Sequence, residues 1–215
     1  MKTIKFESYR IALRINSVFH TISIPYIINR FGQVGYHTMI PPPTVNPLSE
    51  ETNIGVRGPL LKNQNLTIDI NSDTNSIGIQ SNSLNDLLDN FDFFLTTVKD
   101  MLPENKHIWF YEFQSHVKFE NEGGVTGKNK ISGKIINQVL EFSNRIGIKP
   151  QVSSIGFWSE QNPDSEHFME IKLQQDTLDN NLSVYKIIYR NPDEGVFKNS
   201  IQTLTDFELL SNILE

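Results

Sequence analysis

Two long runs of alternating apolar and polar residues, 9–15 and 107–119, each open a series of strand, helix, further strands and helix, so that one order of elements occurs twice along the chain. Alternation at period two marks a half-buried strand, because successive side chains leave opposite faces of the backbone. In the first run Tyr9, Ile11, Leu13 and Ile15 share a face, and Arg10 and Arg14 take the other. In the second run Tyr111, Phe113, Val117 and Phe119 oppose Glu112, Gln114, His116 and Lys118, and the first five residues read as buried on both sides.

The segments after these runs fill in the two series. Ser23 is placed to cap a short helix with Pro25 in its first turn, Ile24, Ile27, Ile28 and Phe31 at helical spacing, and Gly32 as a left-handed stop. Strands are expected at 36–40, 54–61, 66–70 and 76–80, with turn chemistry at 71–75. The proline-rich run 41–47 lacks amide donors and reads as a surface connection. Ser83 and Asp86 resemble a capping box for a helix that runs to about Leu102, with Leu87, Phe91, Phe94, Leu95 and Val98 in one apolar stripe. In the second series a helix carries Ile135, Ile136, Val139 and Leu140 and ends at Gly147. Strands follow near 152–158, 167–173 and 182–189, and Thr205 with Glu208 suggests a cap for a final helix bearing Leu209, Leu210, Ile213 and Leu214.

Local letters echo the repeated order. Asn29-Arg30-Phe31-Gly32 answers to Asn144-Arg145-Ile146-Gly147, and Asp86-Leu87-Leu88-Asp89-Asn90-Phe91 to Glu208-Leu209-Leu210-Ser211-Asn212-Ile213. Asn75-Ser76-Ile77 and Asn199-Ser200-Ile201 precede the two matched helices. The expected fold class is therefore α+β, two tandem β-α-β(3-4)-α repeats, 1–103 and 104–215, forming a curved antiparallel sheet with the helices on one side. In element order this resembles the saddle of the TATA-box-binding protein, in which two such halves join into one curved sheet. The resemblance rests on topology and transfers no DNA-contact residue to this sequence.

Charge and composition bound the function. With 38% hydrophobic and 20% charged residues the chain has a globular balance, and its formal charge of -6 supplies no general attraction to phosphate backbones or anionic lipid. A nucleic-acid partner is disfavoured on that ground, no membrane partner is expected, and a protein partner is preferred. No run approaches the ~20 apolar residues of a membrane-spanning helix, and the first residues alternate like a strand, so the expected location is the cytoplasm. The absence of cysteine excludes disulfides, thiolate metal sites and a cysteine nucleophile.

Candidate chemistry is thin. Gly123-Gly124-Val125-Thr126-Gly127-Lys128 sits where a phosphate-cradling loop would, but Glu122 replaces the first glycine of the P-loop pattern and Asn129 its hydroxyl. His20, His37, His107, His116 and His167 show no metal-binding spacing, and His167 reads as an edge-of-core residue at the start of its strand. No nucleophile turn occurs. No cofactor, metal or catalytic residue is therefore expected, and an enzymatic role is disfavoured. The candidate binding face comprises Arg10, Arg14, Gln114, His116 and Lys118, polar residues that period two assigns to sheet surfaces. The preferred function is a non-enzymatic binding or scaffold role on an open sheet face. The alternatives are nucleic-acid binding by a saddle, and an enzyme or ligand-binding protein with a pocket between sheet and helices.

Overall fold

The computed structural model describes residues 4–16, 23–39, 57–71, 74–102, 107–120, 154–159, 162, 164–176, 178–179 and 182–206. Among them are nine strands and three helices: β1 (Ile4–Ile15), α1 (Ile24–Gly32), β2 (His37–Thr38), β3 (Arg57–Lys62), β4 (Leu66–Asn71), β5 (Ser76–Ser81), α2 (Leu84–Met101), β6 (Ile108–Glu120), β7 (Ser154–Trp158), β8 (Phe168–Gln175), β9 (Leu182–Asn191) and α3 (Glu194–Leu204). The fold is α+β, and the strands form an antiparallel sheet in the order β2-β3-β4-β5-β1-β6-β9-β8-β7. None of these helices is long and apolar enough to cross a membrane.

The chain divides into two compact units. An N-terminal unit holds Ser8–Phe113 with Arg190–Asp193, and a C-terminal unit holds Met1–Glu7, Gln114–Tyr189 and Glu194–Glu215. In the N-terminal unit β1, β5 and β4 align in rows. Tyr9, Ser81 and Leu66 form one row, Ile11, Ile79 and Ile68 the next, and Leu13, Ile77 and Ile70 the third. Their apolar members are at most 2% exposed. The alternating rows, Arg10-Gln80-Thr67, Ala12-Gly78-Asp69 and Arg14-Ser76-Asn71, make the opposite face. Over the apolar rows lie Phe31 of α1 and Phe91, Phe94 and Leu95 of α2, all buried, with Phe31 edge-on to Phe93 at 5.3 Å. Each such side chain contributes about 1.5–3 kcal/mol on leaving water, so this face anchors the unit.

The C-terminal unit is built on the same alternation. Val117 and Phe119 of β6 are buried, and Phe119 meets Tyr185 of β9 edge-on at 5.0 Å. The ring of Tyr189 stacks on Phe197 of α3 at 5.9 Å, and Ile201 and Leu204 extend the helix's buried stripe. β7 and β8 pair with Ile155 opposite Leu173, Gly156 opposite Lys172 and Trp158 opposite Glu170.

Several expectations are revised. Gly32 lies within α1, and the left-handed residue is Gly35, at φ 88°, where the Tyr36 N–H returns to the Phe31 carbonyl at 3.1 Å and closes the helix end. Ser23 stands at the N-cap of α1 without a side-chain cap bond, whereas Ser83 Oγ accepts from Asp86 N–H at 3.2 Å and caps α2. The Asp86 carboxylate completes no capping box with Ser83. Its Oδ2 accepts from Asn65 Nδ2 at 2.8 Å, a neighbour brought up by the β3–β4 turn. Residues 199–201 are helical in α3 whereas 76–77 begin β5, so those matching letters occupy unlike structures. Thr205 follows α3 and donates its hydroxyl to the Ile201 carbonyl at 2.8 Å, and Glu208, its expected partner in a cap, lies outside the described residues. His167 is exposed and precedes β8, whose first residue, Phe168, is the buried one. The proline run 41–47, the glycine-rich segment 123–128, the helix expected to end at Gly147 and residues 208–214 lie outside the described residues.

Candidate functional site

Arg10 and Arg14 leave β1 on the face opposite Tyr9, Ile11, Leu13 and Ile15, as period two requires, but their surroundings differ. Arg10 reaches across the row Ala12-Gly78-Asp69, where its Nε–H donates to Asp69 Oδ2 at 2.8 Å and its second nitrogen to Oδ1 at 2.5 Å. The reach needs a floor without side-chain bulk. A Cβ on Gly78 would stand 2.7 Å from the Arg10 guanidinium and 2.8 Å from the Asp69 carboxylate, and beside it lies the chain's single alanine, Ala12. Burial disfavours the Arg10 charge. The hydrogen bond and charge of Asp69, with Glu112 behind them, outweigh burial and hold the guanidinium above its ordinary value.

Beside this pair, Arg190 Nε–H at the end of β9 donates to Glu112 Oε2 of β6 at 2.5 Å. The ring of Phe110, only 4% exposed although it shares the polar parity of Glu112, lies 5.3 Å from the Arg190 guanidinium and 6.0 Å from that of Arg14. Both distances are within the reach of an aromatic–cation contact. Burial lowers the Arg14 pKa, Arg190 adds to the lowering, and Glu112 opposes both. Arg14 makes no hydrogen bond or ion pair among the described residues.

Gln114, His116 and Lys118, the other residues of the predicted face, belong to the C-terminal unit and are half-buried on β6. His116 meets Phe6 edge-on at 5.7 Å. Burial, then Lys186 and Lys118, push its pKa below the ordinary imidazole value against the pull of Asp176. Lys118 pairs with Asp176 at 2.5 Å, and the same carboxylate accepts from the N–H groups of Leu178 at 2.8 Å and Asp179 at 3.2 Å. The Lys118 hydrogen bond first, then these N–H groups, bring the Asp176 pKa down to about 2. Lys5 pairs with Glu120 at 3.0 Å at the exposed end of this region.

Chemically, these arrangements hold charges together without poising one for reaction. Among the described residues no three His, Asp or Glu side chains converge as a metal site. The described histidines bring no carboxylate or hydroxyl into a nucleophile–base relation; His107, for example, faces Asn16 at 3.4 Å. A cavity of 720 Å³ opens between β2, the β3–β4 turn and α2, near His37, Lys62, Gln64 and Asn90. Much of its polar lining serves the fold. Asn63 Oδ1 accepts the N–H groups of Asn65 and Leu66 at 3.0 and 2.8 Å, and Asn90 Nδ2 donates to the Asp86 carbonyl at 2.9 Å.

Sequence reasoning found Arg10, Arg14 and Lys118 by parity but missed Asp69, Asp176, Arg190 and Phe110, whose roles follow from pairing between distant strands. Only Phe110 left a signal, as an apolar residue at a polar position of an alternating strand. Comparison with known proteins finds no family profile, no curated sequence and no solved structure that matches this chain.

Proposed function

We propose that the chain is a non-enzymatic binding protein that recognises a protein partner through the polar face of its strands. The observation that carries this reading is the neutralisation of strand cations within each unit: Arg10 and Arg190 have Asp69 and Glu112 in the N-terminal unit, and Lys118 has Asp176 in the C-terminal unit. Fixed ion pairs present directional donors and acceptors with little net field. Such a surface suits a complementary protein surface better than a polyanion, which needs aligned cations.

The two-copy, saddle-like organisation is part of the same proposal, and two observations support it. The sheet order reads alike outward from β1 and β6, with β5, β4 and β3 on one side and β9, β8 and β7 on the other. The junctions into α2 and α3 also share a device. Ser83 N–H donates to Ser81 Oγ at 3.0 Å, and Asp193 N–H donates to Asn191 Oδ1 at 2.8 Å, so each strand's last side chain turns the backbone into the next helix.

One observation favours nucleic-acid binding instead. Trp158, 62% exposed, lies over Gly156 with its indole N–H donated to Glu170 Oε1 at 3.1 Å, which leaves a flat ring of fixed orientation beside the position of Lys172. Affinity purification of the tagged chain from its native host, with both protein and nucleic acid identified in the eluate, separates the readings. A protein retained by the native chain and lost on Arg10→Glu supports the proposal. A nucleic acid lost on Trp158→Ala promotes the alternative.

A further inference from the structure

Around Phe110 the described residues of the N-terminal unit bring together three guanidinium groups, Arg10, Arg14 and Arg190, and two carboxylates, Asp69 and Glu112. Arg190 holds Glu112, Arg10 holds Asp69, and Arg14 is left without a carboxylate among the described residues although it is half-buried and close enough to Arg190 to be destabilised by it. Removing a cation from water without a counter-ion is costly, and placing it near a second cation costs more. Glu112 relieves part of that charge, but it is already paired with Arg190. The residue opposite Arg14 on β5 is Ser76, whose hydroxyl is 2.9 Å from that of Thr74.

We propose that Arg14, lying against Phe110 and beside the Arg190–Glu112 pair, anchors a single carboxylate of an acidic protein partner. The proposal rests on the protein-recognition reading of this face and names the chemistry of its contact. A guanidinium fork takes a carboxylate through two parallel N–H bonds. One carboxylate matches the one guanidinium that has no ion pair among the described residues. A nucleic acid, with a charge about every 1.7 Å of duplex, would also press phosphates toward Asp69 and Glu112. Phe110, 6.0 Å from the Arg14 guanidinium, gives the side chain a surface to lie against before binding, which lowers the freedom lost on binding.

The test is an NMR titration of the full chain at constant ionic strength, with sodium acetate replacing sodium chloride, read at the arginine Nε–Hε signals. The Arg14 signal is expected to move saturably and at least several-fold further than those of Arg10 and Arg190. A short glutamate-rich peptide should move the same signal at lower concentration. Arg14→Met, which keeps an apolar stem over Phe110, should abolish the response with the melting temperature unchanged or raised. The proposal is overturned if all three arginines respond alike, if the response survives in Arg14→Met, or if a single-stranded oligonucleotide outcompetes the peptide. A captured protein whose binding is lost on Arg10→Glu but ignores Arg14→Met would remove this anchor and leave the face reading standing. Loss of the face reading itself would appear as a captured protein indifferent to both changes.

Discussion

The Arg10–Asp69 and Lys118–Asp176 pairs neutralise a strand cation in two different ways. Asp69 stands on a strand and is reached only because Ala12 and Gly78 leave the floor between them clear. Asp176 stands just beyond β8, where two backbone N–H groups already require its carboxylate before Lys118 arrives. The first pair is a surface device that the strands could lose and still pair. The second ties a cation to the hydrogen bonding of a loop, so its loss exposes backbone donors as well as a charge.

That difference orders the expected effects. Asp176→Ala should lower the melting temperature most, because it leaves Lys118 and the N–H groups of Leu178 and Asp179 without their acceptor. Differential scanning calorimetry checks this, and an effect smaller than that of Asp69→Ala would erase the distinction. Asp69→Ala should cost about 1–3 kcal/mol, less than the roughly 3–5 kcal/mol of breaking a fully buried pair, since both side chains keep some exposure, 20% for Arg10 and 17% for Asp69. Urea unfolding would measure it, and a double-mutant cycle with Arg10→Met would isolate the pair.

Gly78→Ala should cost about 1 kcal/mol or less, since the Arg10 tip can move aside. This reverses the usual gain from replacing glycine in a strand. If Gly78→Ala stabilises the protein, the floor beneath the pair is not needed.

Acid sharpens the contrast further. The folded Asp176 pKa of about 2 lies below its unfolded value of 3.8, so the stabilisation is fully present above the unfolded value and is lost as pH falls through about 2. Stability followed from pH 5 to 2 should therefore fall less steeply in Asp176→Asn than in the native chain. Equal slopes would mean that Asp176 does not carry this part of the acid response.

What could be read in the sequence follows the same local and non-local divide. β1, β4, β5 and β6 are legible because alternation is a property of consecutive residues, and α2 because Ser83 and its apolar stripe lie within one segment. The α3 helix has comparable local signals, Asp193 before Glu194 and Phe197, Ile201 and Leu204 at helical spacing. The likeness of Asn199-Ser200-Ile201 to Asn75-Ser76-Ile77 masks them, because three shared letters do not determine a conformation that tertiary packing chooses. On the candidate face, parity gives the direction of Arg10 and Arg14 but not their partners. Asp69 reaches Arg10 through two strand pairings, and Arg190 comes from a distant part of the chain to meet Glu112. The excess charge at Arg14 can be seen only once those partners are assigned.

Whether Arg10 and Arg190 are already neutralised, and the face therefore suited to protein rather than to polyanions, is tested most directly by fluorescence anisotropy with a random-sequence DNA duplex. A titration at about 150 mM salt, where nonspecific phosphate contacts are usually weak, should show no saturable binding at micromolar protein, and Asp69→Asn with Glu112→Gln should raise affinity by freeing Arg10 and Arg190. Submicromolar binding by the native chain, weakening steeply with added salt and lost when Arg10 and Arg14 are both changed to Glu, would contradict it.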